Sequence, residues 1–256
     1  MNNIPDHIRT NLYEFYDRIS QICGLNSEIE ELWSVSENIP GYWPRLIYRV
    51  DPEIATKPSS VHFSEKVKSG HLPELLIASD ENIQQTDPFL RQQGFFPFSA
   101  WKGMAMTKIQ NNFAPELPVD VEIVEPECLA DQEQWLRIVN TELVAPLKMD
   151  KPLLESIISN PGIKSYLLKH NGVGVSTILT FETAESTGLY LIATEKPAQK
   201  QGFASLLVQN ILVQNARRSK NPVILHATQS GERIYLKLGF QSFNQFFLYR
   251  QLKIKP

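Results

Sequence analysis

Apolar residues in the second half of the chain recur with the two spacings that secondary structure imposes. Alternation of apolar and polar residues, or a short apolar run between turn residues, predicts a strand, whereas apolar residues three and four apart predict a helix. Strands are predicted over residues 119–124, 165–169, 173–181, 188–194, 222–227 and 240–252. Helices are predicted over residues 129–144, 151–159, 202–218 and 232–238.

Turn residues separate these segments. Asn171-Gly172 lies between two apolar runs, and this dipeptide is typical of a tight β-hairpin. Gly239 follows the last predicted helix, where a glycine commonly ends a helix. The resulting order of strands and helices indicates an α/β or α+β sheet protein.

The first half has a less regular pattern. Helices are predicted over residues 8–22 and 27–35, and strands over residues 45–50 and 75–79. Residues 108–118 are polar and contain two prolines, which is typical of a linker. We therefore predict two tandem domains, residues 1–110 and residues 119–256.

One short segment of the first half resembles a segment of the second. Residues 90–95, LRQQGF, lie about 145 residues before residues 235–240, YLKLGF. Each segment follows an apolar strand that ends in Ala-Ser or Ala-Thr. A repeat with this period indicates duplicated domains rather than a solenoid, with chance similarity as the alternative.

Composition restricts the class of protein. Among 256 residues, 42% are hydrophobic and 21% are charged, so the chain can bury a core and intrinsic disorder is disfavoured. The net charge of −3 leaves no basic excess for a phosphate backbone, so nucleic acid is not an expected partner. Cys23 and Cys128 lack metal-type spacing, and we interpret them as reduced thiols of a cytoplasmic protein with no metal site. The chain opens without a secretory pattern and has no long apolar run, so no membrane association is predicted.

The most informative segment joins the strand that ends at Thr194 to the helix that begins near Gly202. The first amides of a helix have no intrahelical partner, and the helix dipole adds partial positive charge there. Such an end binds phosphate, and a glycine lets an anion approach the backbone closely. The segment contains neither GxxxxGK[ST] nor GxGxxG, so it is not a Walker loop or a dinucleotide fingerprint.

Two motifs lie in this region, namely Gln199-x-x-Gly202-x-Ala204 and the segment YLKLGF that begins at Tyr235. They resemble motifs of the GNAT superfamily of acetyl-CoA-dependent N-acetyltransferases. Gln199-x-x-Gly202-x-Ala204 fits the Q/R-x-x-G-x-G/A motif of that family. Tyr235 lies 33 residues after Gly202 and opens YLKLGF, which resembles the family's tyrosine followed by Gly-Phe. The resemblance implies a GNAT-like, mixed and largely antiparallel twisted sheet flanked by helices.

The resemblance also implies roles for individual residues. In the family, the amides of the loop and the first helical turn hold the CoA diphosphate, and the preceding strand pairs with the pantetheine arm. The implied cofactor contacts are therefore Ile192, Ala193, Thr194, Lys200, Gln201, Gly202, Phe203, Ala204 and Ser205. Tyr235 takes the place of the family's acid near the thioester sulfur. Thr228 stands where the family often has an asparagine that contacts CoA, and this departure leaves its contact open.

The function implied is transfer of an acetyl group from acetyl-CoA to the primary amine of a small molecule or peptide, without a metal. The alternative is a regulatory protein that binds acetyl-CoA as a sensor without turnover. The sequence fits a monomer or a homodimer.

Candidate bases and the first half are less clearly defined. Glu182 and Glu185 flank a turn and are interpreted as solvated, and His226 is interpreted as an interior histidine with satisfied nitrogens. In the first half, Leu90 stands where Tyr235 stands, and the Q/R-x-x-G-x-G/A motif is missing. We predict a degenerate, non-catalytic copy that shapes the acceptor site, with an unrelated helical cap as the alternative.

Overall fold

A computed structural model describes residues 3–81, 83–108 and 115–252. The strands in these ranges are β1 Asn26–Ile29, β2 Ser34–Glu37, β3 Arg45–Tyr48, β4 Leu75–Ser79, β5 Phe95–Met106, β6 Val121–Val124, β7 Ile163–His170, β8 Val173–Glu182, β9 Thr187–Thr194, β10 Val223–Ala227 and β11 Gln241–Gln251. The helices are α1 Ile4–Ile22, α2 Ser60–Lys68, α3 Ile83–Gln92, α4 Leu129–Val139, α5 Lys151–Ile158, α6 Phe203–Ala216 and α7 Glu232–Lys237. Short 3₁₀ helices span Pro52–Ala55 and Lys196–Ala198, and a π-helical segment spans Asn140–Val144.

All of these strands belong to one sheet with the order β1-β2-β3-β4-β11-β5-β10-β9-β8-β7-β6. Only the pairs β3–β4 and β9–β10 are parallel, and the other neighbours are antiparallel. Helices cover both faces. The predicted fold class, a mixed and largely antiparallel sheet flanked by helices, is therefore confirmed.

Most predicted elements are found, with one clear error in the first half. The helix predicted over residues 27–35 is wrong, because this segment forms β1, a turn and the start of β2. Trp33 and Val35 are buried in one apolar cluster, while Ser34 and Ser36 are buried on the other face. A strand buried on both faces loses the alternation of apolar and polar residues, so its spacing no longer separates it from a helix.

The helix predicted over residues 129–144 also ends differently. Its α-helical part stops at Val139 and continues as the π-helical segment. Such segments inside helices are often found at functional sites.

The two halves repeat one order of elements. In each half a strand is followed by a 3₁₀ helix, a helix, a parallel strand, a short helix and a final strand, from β3 to β5 and from β9 to β11. Left-handed residues fall at equivalent points, namely Arg49 (φ 53°) and Leu191 (φ 47°), then Gly94 (φ 85°) and Gly239 (φ 98°). Both glycines lie between a short helix and the strand that follows it. The segments LRQQGF and YLKLGF thus occupy the same place in the repeated order.

The two halves exchange their final strands. Strand β5, from the first half, lies between β11 and β10, while β11, from the second half, lies between β4 and β5. The sheet is therefore continuous across the predicted domain boundary. That boundary falls between β5 and β6, and residues 109–114 within it lie outside the described residues. The division into two domains stays a prediction.

Apolar clusters lie on both faces of the sheet. One face is covered by α1, α4 and α5, and the other by α6 over the second half and by α2 with α3 over the first. Along β10, Ile224 belongs to the first face and Leu225 to the second, as the alternation of a strand requires. None of the helices in the described ranges combines the length and apolarity needed to cross a bilayer.

Candidate active site

Strands β9 and β10 separate at the centre of the second half. Their parallel pairing covers only Thr187–Leu189 against Val223–Leu225. Beyond this point β9 stays paired with β8 as far as Thr194, but no strand of the described residues pairs with it on the β10 side. The left-handed Leu191 lies at an irregularity in the β8–β9 register. An extended ligand could therefore pair with the free edge of β9, as peptides do with exposed sheet edges.

The three strand residues predicted to contact the cofactor lie along this free edge. Ile192 and Thr194 are partly exposed, whereas Ala193 is buried on the face covered by α1. Ser176 of β8 donates to the Ala193 carbonyl at 2.7 Å, and Thr177 donates to the Leu191 carbonyl at 2.9 Å. These bonds fix the strand from the β8 side and leave the opposite side available.

A braced loop connects β9 to α6. Gln199 Nε2 donates to the Thr194 carbonyl at 2.9 Å, and Gln201 Nε2 donates to the Pro197 carbonyl at 3.1 Å. Lys200 adopts a left-handed conformation (φ 65°), which a lysine rarely adopts without such a brace. Lys200 and Gln201 are exposed.

Helix α6 begins with an open N-terminus. Its cap, Gly202, has φ 89°, and a Cβ built on it would meet nothing within 4 Å. Within the described ranges no side chain caps the helix, and the first bond runs from the Leu206 amide to the Gly202 carbonyl at 2.9 Å. The amides of the next three residues therefore precede the first amide that donates within the helix, and they carry the positive end of the helix dipole. This arrangement fits a diphosphate.

The first turn of α6 is buried at one residue and partly exposed at the next two. Phe203 is buried, whereas Ala204 and Ser205 are partly exposed. The ring of Phe203 lies 5.0 Å from the ring of His170, measured between centroids. His170 Nε2 is in turn hydrogen-bonded to Asp120 Oδ2 at 2.8 Å. The hairpin end of β7 thus supports the start of the helix.

Tyr235 lies on α7 with its ring in the same apolar cluster as Phe203 and Ala227. The ring of Phe240 contacts it edge-on at 5.9 Å between centroids. Among the described residues the hydroxyl has no hydrogen-bond partner, and burial raises the pKa of Tyr235 well above its usual value. The phenol therefore stays protonated, and its O–H group is available to donate a hydrogen bond.

Thr228 lies at the end of β10 and is exposed. Its hydroxyl accepts from the Gly231 amide at 3.2 Å, and its carbonyl accepts from the Glu232 amide at 3.0 Å. The residue therefore forms the turn that starts α7, and its predicted contact with CoA stays a prediction.

The predicted cofactor residues and Tyr235 thus gather at one edge of the sheet. The loop to α6 and the turn to α7 both start from the carboxyl ends of β9 and β10. Because these strands are adjacent and parallel, their carboxyl ends meet at the same edge.

Two supporting residues were not found from the sequence. Arg137 of α4 forms an ion pair with Glu195 and donates to the Gly174 carbonyl at 3.1 Å. Glu142, in the π-helical segment, accepts from the Lys196 amide at 3.3 Å. These contacts hold the turn after β9 in place. A charged residue on a helix gives no local signal of such a role.

The candidate bases lie in different environments. Glu182 ends β8 opposite Thr187, at the closed end of β9, and the Glu185 carboxylate is mostly exposed near His7. Both are remote from the opening, as expected of a solvated turn. Across the described residues no group of three or more metal-binding side chains forms a metal site.

His226 lies in the interior, but its nitrogens are not satisfied as predicted. Both ring nitrogens are buried, and within the described ranges neither has a hydrogen-bond partner. Burial lowers the pKa of His226 to about 3, so the imidazole is neutral in the folded protein at physiological pH. The prediction failed because a strand pattern shows that a residue is buried but not which polar atoms lie near it.

Comparison with known proteins identifies a family for part of the chain. Residues 141–252 match the family model described as an acetyltransferase (GNAT) domain. No curated protein matches the sequence.

Solved structures share the fold over most of the chain. A GCN5-related N-acetyltransferase from Kribbella flavida is 14% identical with a TM-score of 0.64, over 93% of this chain and 94% of that chain. One from Sphaerobacter thermophilus is 18% identical with a TM-score of 0.65, over 88% and 77% of the two chains. A tandem GNAT protein from the clavulanic acid biosynthesis pathway is 10% identical with a TM-score of 0.59, over 85% and 77%. At these identities the likeness is one of fold.

Proposed function

We propose that the protein is an acetyl-CoA-dependent N-acetyltransferase, since its residues 141–252 match the model of the acetyltransferase (GNAT) domain. Its acceptor is the primary amine of a small molecule or a peptide. The observation that carries the proposal is the uncapped start of α6 beside the free edge of β9. One feature suits a diphosphate and the other an extended amide-containing arm, and together they suit CoA.

Each part of the site has a defined task in this proposal. Acetyl-CoA, when bound, supplies an activated acetyl thioester. The amides of Phe203, Ala204 and Ser205 hold the diphosphate, with Lys200 and Gln201 beside them. The free edge of β9 at Ile192–Thr194 orients the arm, and Tyr235 donates a hydrogen bond to the departing sulfur.

The role of Tyr235 follows from relative acidities. A phenol of ordinary pKa near 10 is weaker than a thiol near 8.5, so full proton transfer to the thiolate is uphill by about 2 kcal/mol. Burial raises the pKa of Tyr235 further, which increases that cost. We therefore assign Tyr235 a hydrogen bond that strengthens as charge develops on sulfur, with proton transfer late.

The acceptor must attack as a neutral amine. A lysine-like amine loses roughly 4–5 kcal/mol to protonation at pH 7, whereas an α-amine near pKa 7.8 loses only about 1 kcal/mol. Weakly basic amines therefore need little help beyond ordered water.

The first half is proposed to be a degenerate copy without its own cofactor site. Strand β3 ends at Tyr48, and the next residue, Arg49, forms an ion pair with Asp17 of α1. The Tyr48 hydroxyl also donates to Asp17, at 2.5 Å. Ser59, before α2, has φ −64° and lacks the left-handed conformation of Gly202. These features support the proposal that the first half lacks a cofactor site.

The test begins with cofactor affinity. Gly202→Val places a branched side chain, at positive φ, in the space in front of the amides, and should weaken acetyl-CoA binding at least tenfold, about 1.4 kcal/mol. Gly70→Val is the matched control, because Gly70 also has positive φ (73°) and nothing within 4 Å but lies in the first half. Isothermal titration measures both, and wild-type affinity in Gly202→Val contradicts the assignment of the loop.

Turnover separates the enzyme from the sensor. Release of CoA is followed with amino acids, polyamines, aminoglycosides and short peptides as acceptors. Release that depends on an amine supports the transferase. Tight binding of acetyl-CoA without release in any pool supports the alternative, a non-catalytic acetyl-CoA sensor.

A further inference from the structure

A row of three residues crosses the sheet beside the opening. His226 of β10 pairs with Gly103 of β5, and Gly103 pairs with Asn244 of β11. Directly paired residues in antiparallel strands point to the same face of the sheet, here the face covered by α1. Besides the two nitrogens of His226, the Asn244 Oδ1 atom is buried without a partner among the described residues. Three unsatisfied polar atoms thus share one row.

Two backbone features create this row. Strand β11 has a bulge between Ser242 and Asn244, which leaves Phe243 at the surface and turns Asn244 inward. A Cβ on Gly103 would overlap Asn244 Oδ1 and would come within 2.9 Å of Ile8. The missing side chain therefore lets Asn244 lie over Gly103, towards His226. Bulges that re-aim a side chain are common beside active sites.

The first half contains the same row built from different residues. Ile77 of β4 pairs with Leu248 of β11, and Leu248 pairs with Ser99 of β5. Counted from Gly94 and Gly239, Ser99 corresponds to Asn244 and Leu248 to Gly103. Ile77 corresponds to His226 in its position along the strand. Ile77 comes one residue after Leu76, which pairs with Ile47, and His226 comes one residue after Leu225, which pairs with Leu189.

The contrast between the two rows is informative. Ile77 and Leu248 are buried and apolar, and Ser99, the third member of this row, is exposed. The half with the cofactor features instead has a histidine, a glycine and an asparagine there. Buried polar atoms without partners reduce stability, so packing alone favours apolar residues such as Ile77 and Leu248 at these buried positions.

The polar row lies next to the point where β9 and β10 separate. His226 lies one residue beyond the last β9–β10 pair, and its ring lies 6.0 Å from the ring of Tyr190 on β9. The rings of Trp101 and Phe246 lie 6.3 Å and 4.9 Å from the His226 ring and complete an aromatic lining.

The neighbours of His226 on β10, Leu225 and Ala227, face α6 instead. Helix α1 of the first half lies over the row, because Asn244 Nδ2 donates to the Pro5 carbonyl at 3.2 Å.

We propose that His226 and Asn244 bind the acceptor amine, which is a primary amine on an apolar carbon frame. A neutral primary amine has two N–H donors and one lone pair. The unprotonated nitrogen of His226 and Asn244 Oδ1 accept the two N–H groups, and the lone pair remains free for the thioester. The low pKa of His226 is consistent with an acceptor that stays neutral. These residues orient the amine and transfer no proton. The amine nitrogen bonds to the acetyl carbon as the carbon–sulfur bond breaks, the proton that the nitrogen loses passes to solvent, and the departing thiolate receives its proton late from Tyr235.

The lining selects the class of amine. His226, Asn244, Trp101, Tyr190 and Phe246 carry no carboxylate, so the row does not pair with a second ammonium group. Aromatic rings instead favour an apolar or aryl substituent. The inference rests on the proposed acetyl transfer and names its acceptor class.

The test uses 2-phenylethylamine as an apolar amine and spermidine as a polycation, both with acetyl-CoA and the full chain. We expect His226→Ile, the residue found at position 77, to raise the KM for 2-phenylethylamine at least tenfold. The Kd of acetyl-CoA should stay within twofold and the melting temperature should not fall. Asn244→Ser, the residue found at position 99, should act in the same direction. Ile77→Val is the control and should leave the KM unchanged.

A second measurement reports on binding itself. Nitrogen-15 NMR of labelled histidine should show the His226 resonance shift on addition of 2-phenylethylamine, and the resonance should be missing in His226→Ile. An unchanged KM in both row variants, or faster transfer to spermidine than to 2-phenylethylamine, overturns this inference while leaving acetyl transfer intact. If the row holds only a buried water and no amine, the KM is unchanged in both variants. If no amine releases CoA from the wild-type protein, the proposed function fails first, and this inference falls with it.

Discussion

Acid should destabilise this protein in part through one buried imidazole. An unfolded histidine titrates near pH 6.5, whereas burial lowers the pKa of His226 in the fold to about 3. Between these values the unfolded chain binds a proton that the folded chain does not bind. The stability contributed by the neutral ring is therefore complete above pH 6.5 and decreases as the pH falls.

The size of the effect follows from the two pKa values. At pH 5 the unfolded histidine is about 1.5 pH units below its pKa, which corresponds to about 2 kcal/mol of lost stability at 1.36 kcal/mol per unit. In His226→Ile this contribution is removed. The difference in unfolding free energy between pH 7.5 and pH 5 should then be about 2 kcal/mol smaller in the variant than in the wild type.

Urea denaturation at the two pH values measures this difference. Other groups titrate in both proteins, so comparison of the variant with the wild type isolates His226. His71→Gln is the control, because it removes an exposed histidine after α2 and should leave the acid dependence as in the wild type. Equal losses of stability in His226→Ile and the wild type would refute the reasoning that the ring is buried and uncharged in the fold.

Two further predictions concern catalysis and assembly. Tyr235→Phe removes the free hydroxyl and should lower kcat at least tenfold with acetyl-CoA affinity unchanged. Tyr166→Phe, in the same apolar cluster, is the control and should retain kcat. Steady-state kinetics with equal kcat in both variants would falsify the role of the phenol. Fragments 1–108 and 115–256, when co-expressed, should co-purify in equal amounts, because each supplies a strand to the other's part of the sheet. Ala105→Pro should abolish this association, since proline removes a ladder hydrogen bond in the centre of a sheet, and co-purification that survives it would contradict the strand exchange.

The local features of this protein could be predicted from its sequence. Strand and helix periods located the second half's elements, and Asn171-Gly172 and Gly239 marked turns where the structure has them. Gly202 was identified because a glycine at the start of a helix lets an anion approach the backbone and because it fits the Q/R-x-x-G-x-G/A motif. The family resemblance implied a role for Tyr235, and the structure brings its helix to the same sheet edge as Gly202, since both segments follow adjacent parallel strands.

Contacts between distant segments were decided by the tertiary structure alone. The exchange of β5 and β11 joins strands more than a hundred residues apart, and no local period encodes which strands become neighbours. The same holds for the segment over residues 27–35, where burial on both faces hid the strand pattern. The row of His226, Gly103 and Asn244 exists only because β10, β5 and β11 align in one register. Sequence spacing determines to which face of the sheet a side chain points. Cross-strand register determines which side chains meet, and this register is fixed by long-range strand pairing and by the bulge before Asn244.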